Sequence, residues 1–181
     1  MGAERLTRAA LGLAVLAAGA TSCQPEPETE PERTGAGGTG IVARVGDGDS
    51  LTLADGRKLR LLQVDAPELA QDCYGRAALR ELASLAGPGT RVRLASDPRL
   101  DASDRYGRPL RYVFVGSRNV NIELVRRGAA SPYFFRNDKG RYAGALLTAV
   151  DSARRRRAGY WGACPGAELN TGLGSLTGPA R

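Results

Sequence analysis

The sequence predicts an α+β fold: a five-stranded Greek-key β-barrel of the OB type with three helices, spanning residues 41–164. Three observations carry this. Short stretches of alternating apolar and polar residues recur at strand length. An Asp-Gly dipeptide sits between two of them as a hairpin signal. The order of elements is three strands, a helix, two strands, two helices, and a helix between the third and fourth strands suits a five-stranded OB barrel. An α+β sandwich is the competing architecture.

The elements follow in order. Ile41–Val45 alternates like a strand, and Leu51–Leu53 does the same. Asp55-Gly56 turns the chain, and Arg57–Val64 returns it until Asp65-Ala66-Pro67-Glu68 breaks the run. From Tyr74 to Leu85 the apolar residues Leu79, Leu82 and Leu85 follow helical spacing, and Gly87-Pro88-Gly89 stops the helix. Arg91–Leu94 and Leu110–Val115 are the fourth and fifth strands. Val120–Arg127 reads as a short helix closed by Gly128. Asn137–Arg157 reads as a longer one with Tyr142, Leu146 and Val150 on one face.

The ends have a different composition. Residues 1–22 start with Arg5 and Arg8 and continue with an uncharged run from Ala9 to Ala20. A bilayer span needs roughly 20 apolar residues, so the run has the length of a signal-peptide core. It ends Ala20-Thr21-Ser22-Cys23, small residues before a cysteine, as at a bacterial lipidation site. The expectation is an exported chain, either a cell-surface lipoprotein held to the membrane through a lipid on Cys23, or a secreted protein cleaved nearby. Residues 23–40 are rich in Pro, Glu and Gly and read as a tether. Residues 165–181 revert to Gly, Ser and Thr and read as a disordered tail.

Charge and cysteine count narrow the chemistry. The chain carries +7. Setting aside the +1 of residues 1–22 and the −3 of residues 23–40 leaves +9 on the rest, an excess that suits a polyanionic partner. Of three cysteines, a lipidated Cys23 would leave Cys73 and Cys164. They can be two separate thiols or one disulfide, and an oxidising compartment favours the disulfide. The sequence has no histidine. That excludes Ser-His triads and imidazole metal sites, so a metal here would be a hard cation on oxygen ligands.

A set of charges converges on the first hairpin. A two-residue Asp55-Gly56 turn would pair Ala54 with Arg57 and Leu51 with Arg60, bringing Asp49 beside Arg60. Asp65 lies three residues past Leu62, about 10 Å at ~3.4 Å per residue, a gap that twist and the bend before Pro67 can close. Asp49, Asp65, Glu68 and Arg60 then share one end of the hairpin. Charges in so apolar a context need partners or a ligand. Asp47 is assigned to the turn itself. A second cluster, Asp104-Arg105-Tyr106-Gly107-Arg108, offers two guanidiniums and a phenol to a phosphate. The Arg154–Arg157 run reads as a helix end that suits the macrodipole, with a nucleic-acid contact as the competing reading.

The segments DGDS (residues 47–50), LRLLQVDAPE (59–68) and DRYGR (104–108), in this order and spacing, resemble the three signatures of the staphylococcal nuclease-like (thermonuclease) family. The resemblance extends from about Ile41 to Trp161. It implies a monomeric Ca²⁺-dependent phosphodiesterase that cleaves DNA and RNA with little sequence preference and leaves 3′-phosphates. It places metal ligands on Asp49, Asp65 and the main-chain carbonyl of Ala66. It makes Arg60, Arg108 and Glu68 catalytic, and gives Tyr106 and Arg105, with Tyr133 and Phe135, to the substrate. A non-catalytic nucleic-acid-binding module on the same barrel is the alternative, since fold does not fix function. The chain departs from the family's best-known member in two places. Only Leu69–Cys73 separate Glu68 from Tyr74, where that member has a longer basic loop, and that member lacks the two cysteines. A Cys73–Cys164 bridge would pin the shortened loop to the end of the last helix.

Overall fold

The structure is a computed structural model and describes residues 37–176. The expectations for residues 1–36, including export and Cys23, lie outside the described residues, as do residues 177–181.

Strand β1 (Gly38–Val45) is followed by β2 (Ser50–Leu53), β3 (Lys58–Leu61) and the two-residue β4 (Val64–Asp65). Helix α1 (Gly75–Ala86) leads to β5 (Arg91–Ala95), β6 (Leu110–Val115) and β7 (Arg118–Asn119). Then come α2 (Val120–Arg126), β8 (Ser131–Pro132), α3 (Ala143–Arg155) and the single turn α4 (Tyr160–Ala163). A hairpin of β9 (Glu168–Asn170) and β10 (Gly174–Leu176) closes the described chain.

Hydrogen bonding runs β3-β2-β1-β5-β6, and a parallel β3–β6 pairing closes the five strands into a barrel. Closure leaves no long unpaired strand edge. This is the α+β barrel with three helices that the element order predicts. Its interior holds Val42, Leu51, Leu53, Leu59, Leu61, Val92, Leu94 and Val113. Leu82 and Leu85 of α1, Leu124 and Val125 of α2, and Leu146 and Val150 of α3 cover it. Asn119 caps α2 by accepting the N–H of Ile122 at 3.2 Å. The Arg154–Arg157 run ends α3. There Arg156 donates to the carbonyl of Arg126 at 3.0 Å, and Arg154 lies 5.5 Å from the ring centre of Trp161.

Four details depart from the sequence reading. The hairpin loop has three residues, not two: the Leu53 N–H donates to Arg57 O at 2.9 Å, and Gly56 takes φ 87°. A left-handed residue at the end of a three-residue loop adds one residue to the turn. The register therefore shifts by one, giving Leu51 opposite Leu59 and Ser50 opposite Arg60. Both leucines then face the core, where the expected register would have set Arg60 against Leu51. Second, β1 begins at Gly38 and pairs Gly38 with Leu94, so the last residues assigned to the tether are strand. Third, α3 begins at Ala143 rather than Asn137. Residues 135–137 form a 3-10 turn, and residues 138–142 are a loop because Gln63 serves their backbone instead: Nε2 donates to Asp138 O at 2.8 Å, and Oε1 accepts the Gly140 N–H at 3.1 Å. Fourth, the tail assigned to disorder from residue 165 contains β9 and β10. Leu169 packs against the core, and the Phe134 N–H donates to Thr171 O at 2.6 Å.

Candidate active site

The site is built at the end of the barrel where β1 turns into β2. Within that turn Asp47 Oδ1 accepts the Asp49 N–H at 3.1 Å. Gly48 faces Ala66 and Ala78 so closely that a Cβ would stand 2.8 Å from the Ala78 Cβ. The turn thus seats Asp49 deep, at 3 % exposure. Arg60 Nη1 donates to Asp49 Oδ1 and Arg60 Nη2 to Asp65 Oδ1, each at 2.6 Å. Asp49 Oδ2 accepts the Ala66 N–H at 3.1 Å. One guanidinium is therefore shared between two carboxylates.

Two local features bring Asp65 within reach. Gln63 takes φ 59° and folds the chain back after β3. Antiparallel pairing of β4 with β8, with Asp65 opposite Ser131, then fixes the new direction. Twist alone does not close the expected gap; this left-handed residue and a strand drawn from residue 131 onward do.

Two carboxylates on one guanidinium leave a local excess of negative charge. Burial, the largest influence, pushes the Asp49 carboxyl up to about 8; Asp47 and Asp65 add to this, and Arg60 opposes it. Burial pulls Arg60 down, but the facing Asp49 and Asp65 outweigh it and its pKa is raised. A cation placed beside the two carboxylates would favour their ionised forms. The donors suit a hard cation, namely two carboxylates with the Ala66 backbone beside them. Among the described residues no three acidic, His or Cys side chains form a ready cage. A cation here would complete its shell with backbone carbonyl and water.

The remaining predicted residues lie on segments adjoining this triad. Glu68 is exposed on the turn after Pro67. Its N–H donates to Asp72 Oδ2 at 2.8 Å, and Cys73 of the same loop is disulfide-bonded to Cys164, just after α4. The structure brings Asp49, Arg60, Asp65 and Ala66 into direct contact and sets Glu68 in solvent three residues on.

Arg108 reaches the same barrel end through the backbone. The Arg60 N–H donates to Pro109 O at 3.1 Å, and Arg60 pairs with Leu110. Asp104 holds Arg108, accepting its Nε at 2.7 Å and its N–H at 2.9 Å. Burial pushes the Asp104 carboxyl up, but these bonds and the Tyr106 N–H outweigh it, so its pKa is lowered. Tyr106 is 68 % exposed; its Oη accepts from Arg105 Nη2 at 2.7 Å, and Arg108 lies 5.6 Å from its ring centre.

Tyr133 and Phe135 follow β8, the strand that pairs with Asp65. Their ring centres are 6.5 Å apart, and Phe135 is half exposed. Sequence reasoning gave no part to Asp104 as the anchor of Arg108 or to Gln63 as the pivot before Asp65. The four-residue spacing from Asp104 to Arg108 across a Gly-containing turn was the signal for the first. Nothing local marks the second.

Comparison with known proteins agrees with this fold. Residues 58–163 match the family described as Staphylococcal nuclease homologue. An "Uncharacterized endonuclease" of Escherichia coli O157:H7 is 38 % identical over 126 residues, covering 67 % of this chain and 76 % of that protein. The "Thermonuclease" of Staphylococcus intermedius is 33 % identical over 130 residues, covering 67 % and 74 %. An "Uncharacterized endonuclease" of Haemophilus influenzae is 34 % identical over 124 residues, covering 66 % and 64 %. A closed five-stranded barrel, a family match over most of that barrel and relatives aligned over most of their length lead to one conclusion: this chain belongs to the staphylococcal nuclease homologue family.

Proposed function

We propose that the chain is a nuclease, a Ca²⁺-dependent phosphodiesterase acting on DNA and RNA with little sequence specificity and leaving 3′-phosphates. The observation that carries the reading is the guanidinium of Arg60 held at 2.6 Å from both Asp49 and Asp65 at the mouth of the barrel. Asp49, Asp65 and the Ala66 carbonyl would hold the cation, which when bound supplies positive charge against the negative charge developing on the phosphoryl oxygens.

The chain's own residues supply the rest. Arg60 and Arg108 present forked donors to phosphoryl oxygens, and such preorganised donors are each worth about 10²–10³ in rate. Asp104 keeps Arg108 in place. Glu68, an exposed carboxylate, takes the proton of the attacking water, a task for which the chain has no histidine. Arg105 and Tyr106 bind a neighbouring phosphate. Tyr133 and Phe135 stack on bases, which gives grip without sequence preference. The same reading makes the protein an exported monomer, lipid-anchored at Cys23. The Cys73–Cys164 disulfide supports export, since such bonds persist in oxidising compartments.

The test is hydrolysis of DNA and RNA by the wild-type chain with Ca²⁺ and with a chelator, beside Glu68→Gln. Activity should require Ca²⁺ and fall by about 10²–10⁴ in the variant. A Glu68→Gln protein that binds DNA as before and cleaves it as fast would remove Glu68 from the chemistry. Binding without any cleavage by the wild type would point to the non-catalytic module.

A further inference from the structure

The C-terminal hairpin reaches the site from the side opposite Arg60. Gly174, the first residue of β10, is buried against Asp65. A Cβ built on it would overlap Asp65 Oδ2 and stand 2.7 Å from Cγ. Asp65 Oδ1 is the oxygen held by Arg60, so the backbone of β10 occupies the second face of the same carboxylate. β10 also runs beside β4 and β8.

The first strand and the loop of the hairpin are tied to the body of the fold. Thr171 O, in the loop joining β9 to β10, accepts the Phe134 N–H, and Leu169 is partly buried on the core. Leu173 at the tip is 67 % exposed. The root is firmer: only Pro165, Gly166 and Ala167 separate β9 from Cys164, which is bonded to Cys73. A short arm with a fixed root and an exposed tip lies on a carboxylate of the site.

We propose that the β9–β10 hairpin is a hinged cover over Asp65, and that it must swing aside for a divalent cation to take Asp65 through Oδ2. The proposal rests on the reading of Asp49 and Asp65 as the cation's carboxylates. Cover and cation compete for one space. A cover shut nine-tenths of the time raises the apparent Kd about tenfold. Gly174 is the residue that lets the cover close, because any side chain there would strike Asp65.

The test is calorimetric titration of the full chain with CaCl₂, comparing wild type, Gly174→Val, and a chain ended after Ala167. Both altered chains should bind Ca²⁺ about five- to tenfold more tightly. In the wild type, hydrogen exchange at the Phe134 amide should accelerate on adding Ca²⁺ while the barrel amide of Val113 stays protected, a readout that needs no altered chain to fold. Unchanged or weaker binding in the altered chains overturns the cover alone, as does a Phe134 amide that slows with Ca²⁺. No Ca²⁺ binding by any of the three overturns the cover and the metal reading together.

Discussion

Replacing both Cys73 and Cys164 by Ser tests what the disulfide contributes. The two residues are 91 apart in sequence with Cα atoms 5.8 Å apart. For a ring of that size the chain-entropy relation gives about 4.6 kcal/mol at 25 °C, and native disulfides removed from small domains typically cost about 2–5 kcal/mol. An unfolding entropy of about 2.1 cal/mol/K per residue over the described chain comes to roughly 0.3 kcal/mol/K. A loss of about 3 kcal/mol therefore lowers Tm by about 10 °C. The assay is thermal and urea unfolding of the oxidised wild type, the reduced wild type and the double variant. The last two should coincide, reductant should leave the variant unchanged, and the urea m-value should rise as the uncrosslinked denatured chain expands. A loss under about 1 kcal/mol, or a variant that still responds to reductant, would refute the argument.

Two other outcomes follow from the site. Asp49 has a carboxyl raised far above its unfolded value of 3.8, so the native state holds a proton there that the unfolded chain releases. Cation-free protein should therefore lose stability as pH rises from about 4 to 8, and Asp49→Asn should flatten that slope in urea titrations; a slope of equal size in Asp49→Asn would sink the assignment. Asp104→Asn keeps an acceptor for the two turn amides but loses the bond to Arg108 Nε, so cleavage should slow about 10–100-fold with the fold intact. Adding Arg108→Ala should then slow cleavage no further than Arg108→Ala alone, and independent, additive losses in the double-mutant cycle would show that Asp104 does not act through Arg108.

The barrel is legible in the sequence because period-two alternation reports which face of a strand is buried. Leu51, Leu53, Leu59 and Leu61 are each 1 % exposed, as their spacing requires. What is lost is whatever depends on backbone outside the regular regions. Asp-Gly signals a turn but does not distinguish two residues from three, and the difference moved every partner in the hairpin by one. The contact of Asp49 with Arg60 followed from local pairing. That of Arg60 with Asp65 depended on Gln63 in a left-handed conformation and on Ser131, a partner from far along the chain. Residues 138–142 have the composition of a helix start, yet a buried amide from residue 63 wins their backbone. The hairpin at 168–176 has the Gly and Ser content of a loose tail, and contacts made through its own Leu169, Thr171 and Gly174 order it.

Gln63 gives the cleft a mechanical linkage. Its side chain accepts from Tyr112 Oη at 2.8 Å and ties down Asp138 and Gly140, while its carbonyl takes the Tyr133 N–H at 3.0 Å. Two residues later the chain delivers Asp65 on β4. The Asp65 carboxylate and the Tyr133 backbone thus share a single axle. A change at position 63 shifts carboxylate and backbone in one stroke, so evolving this cleft toward a wider or narrower substrate means re-engineering both together.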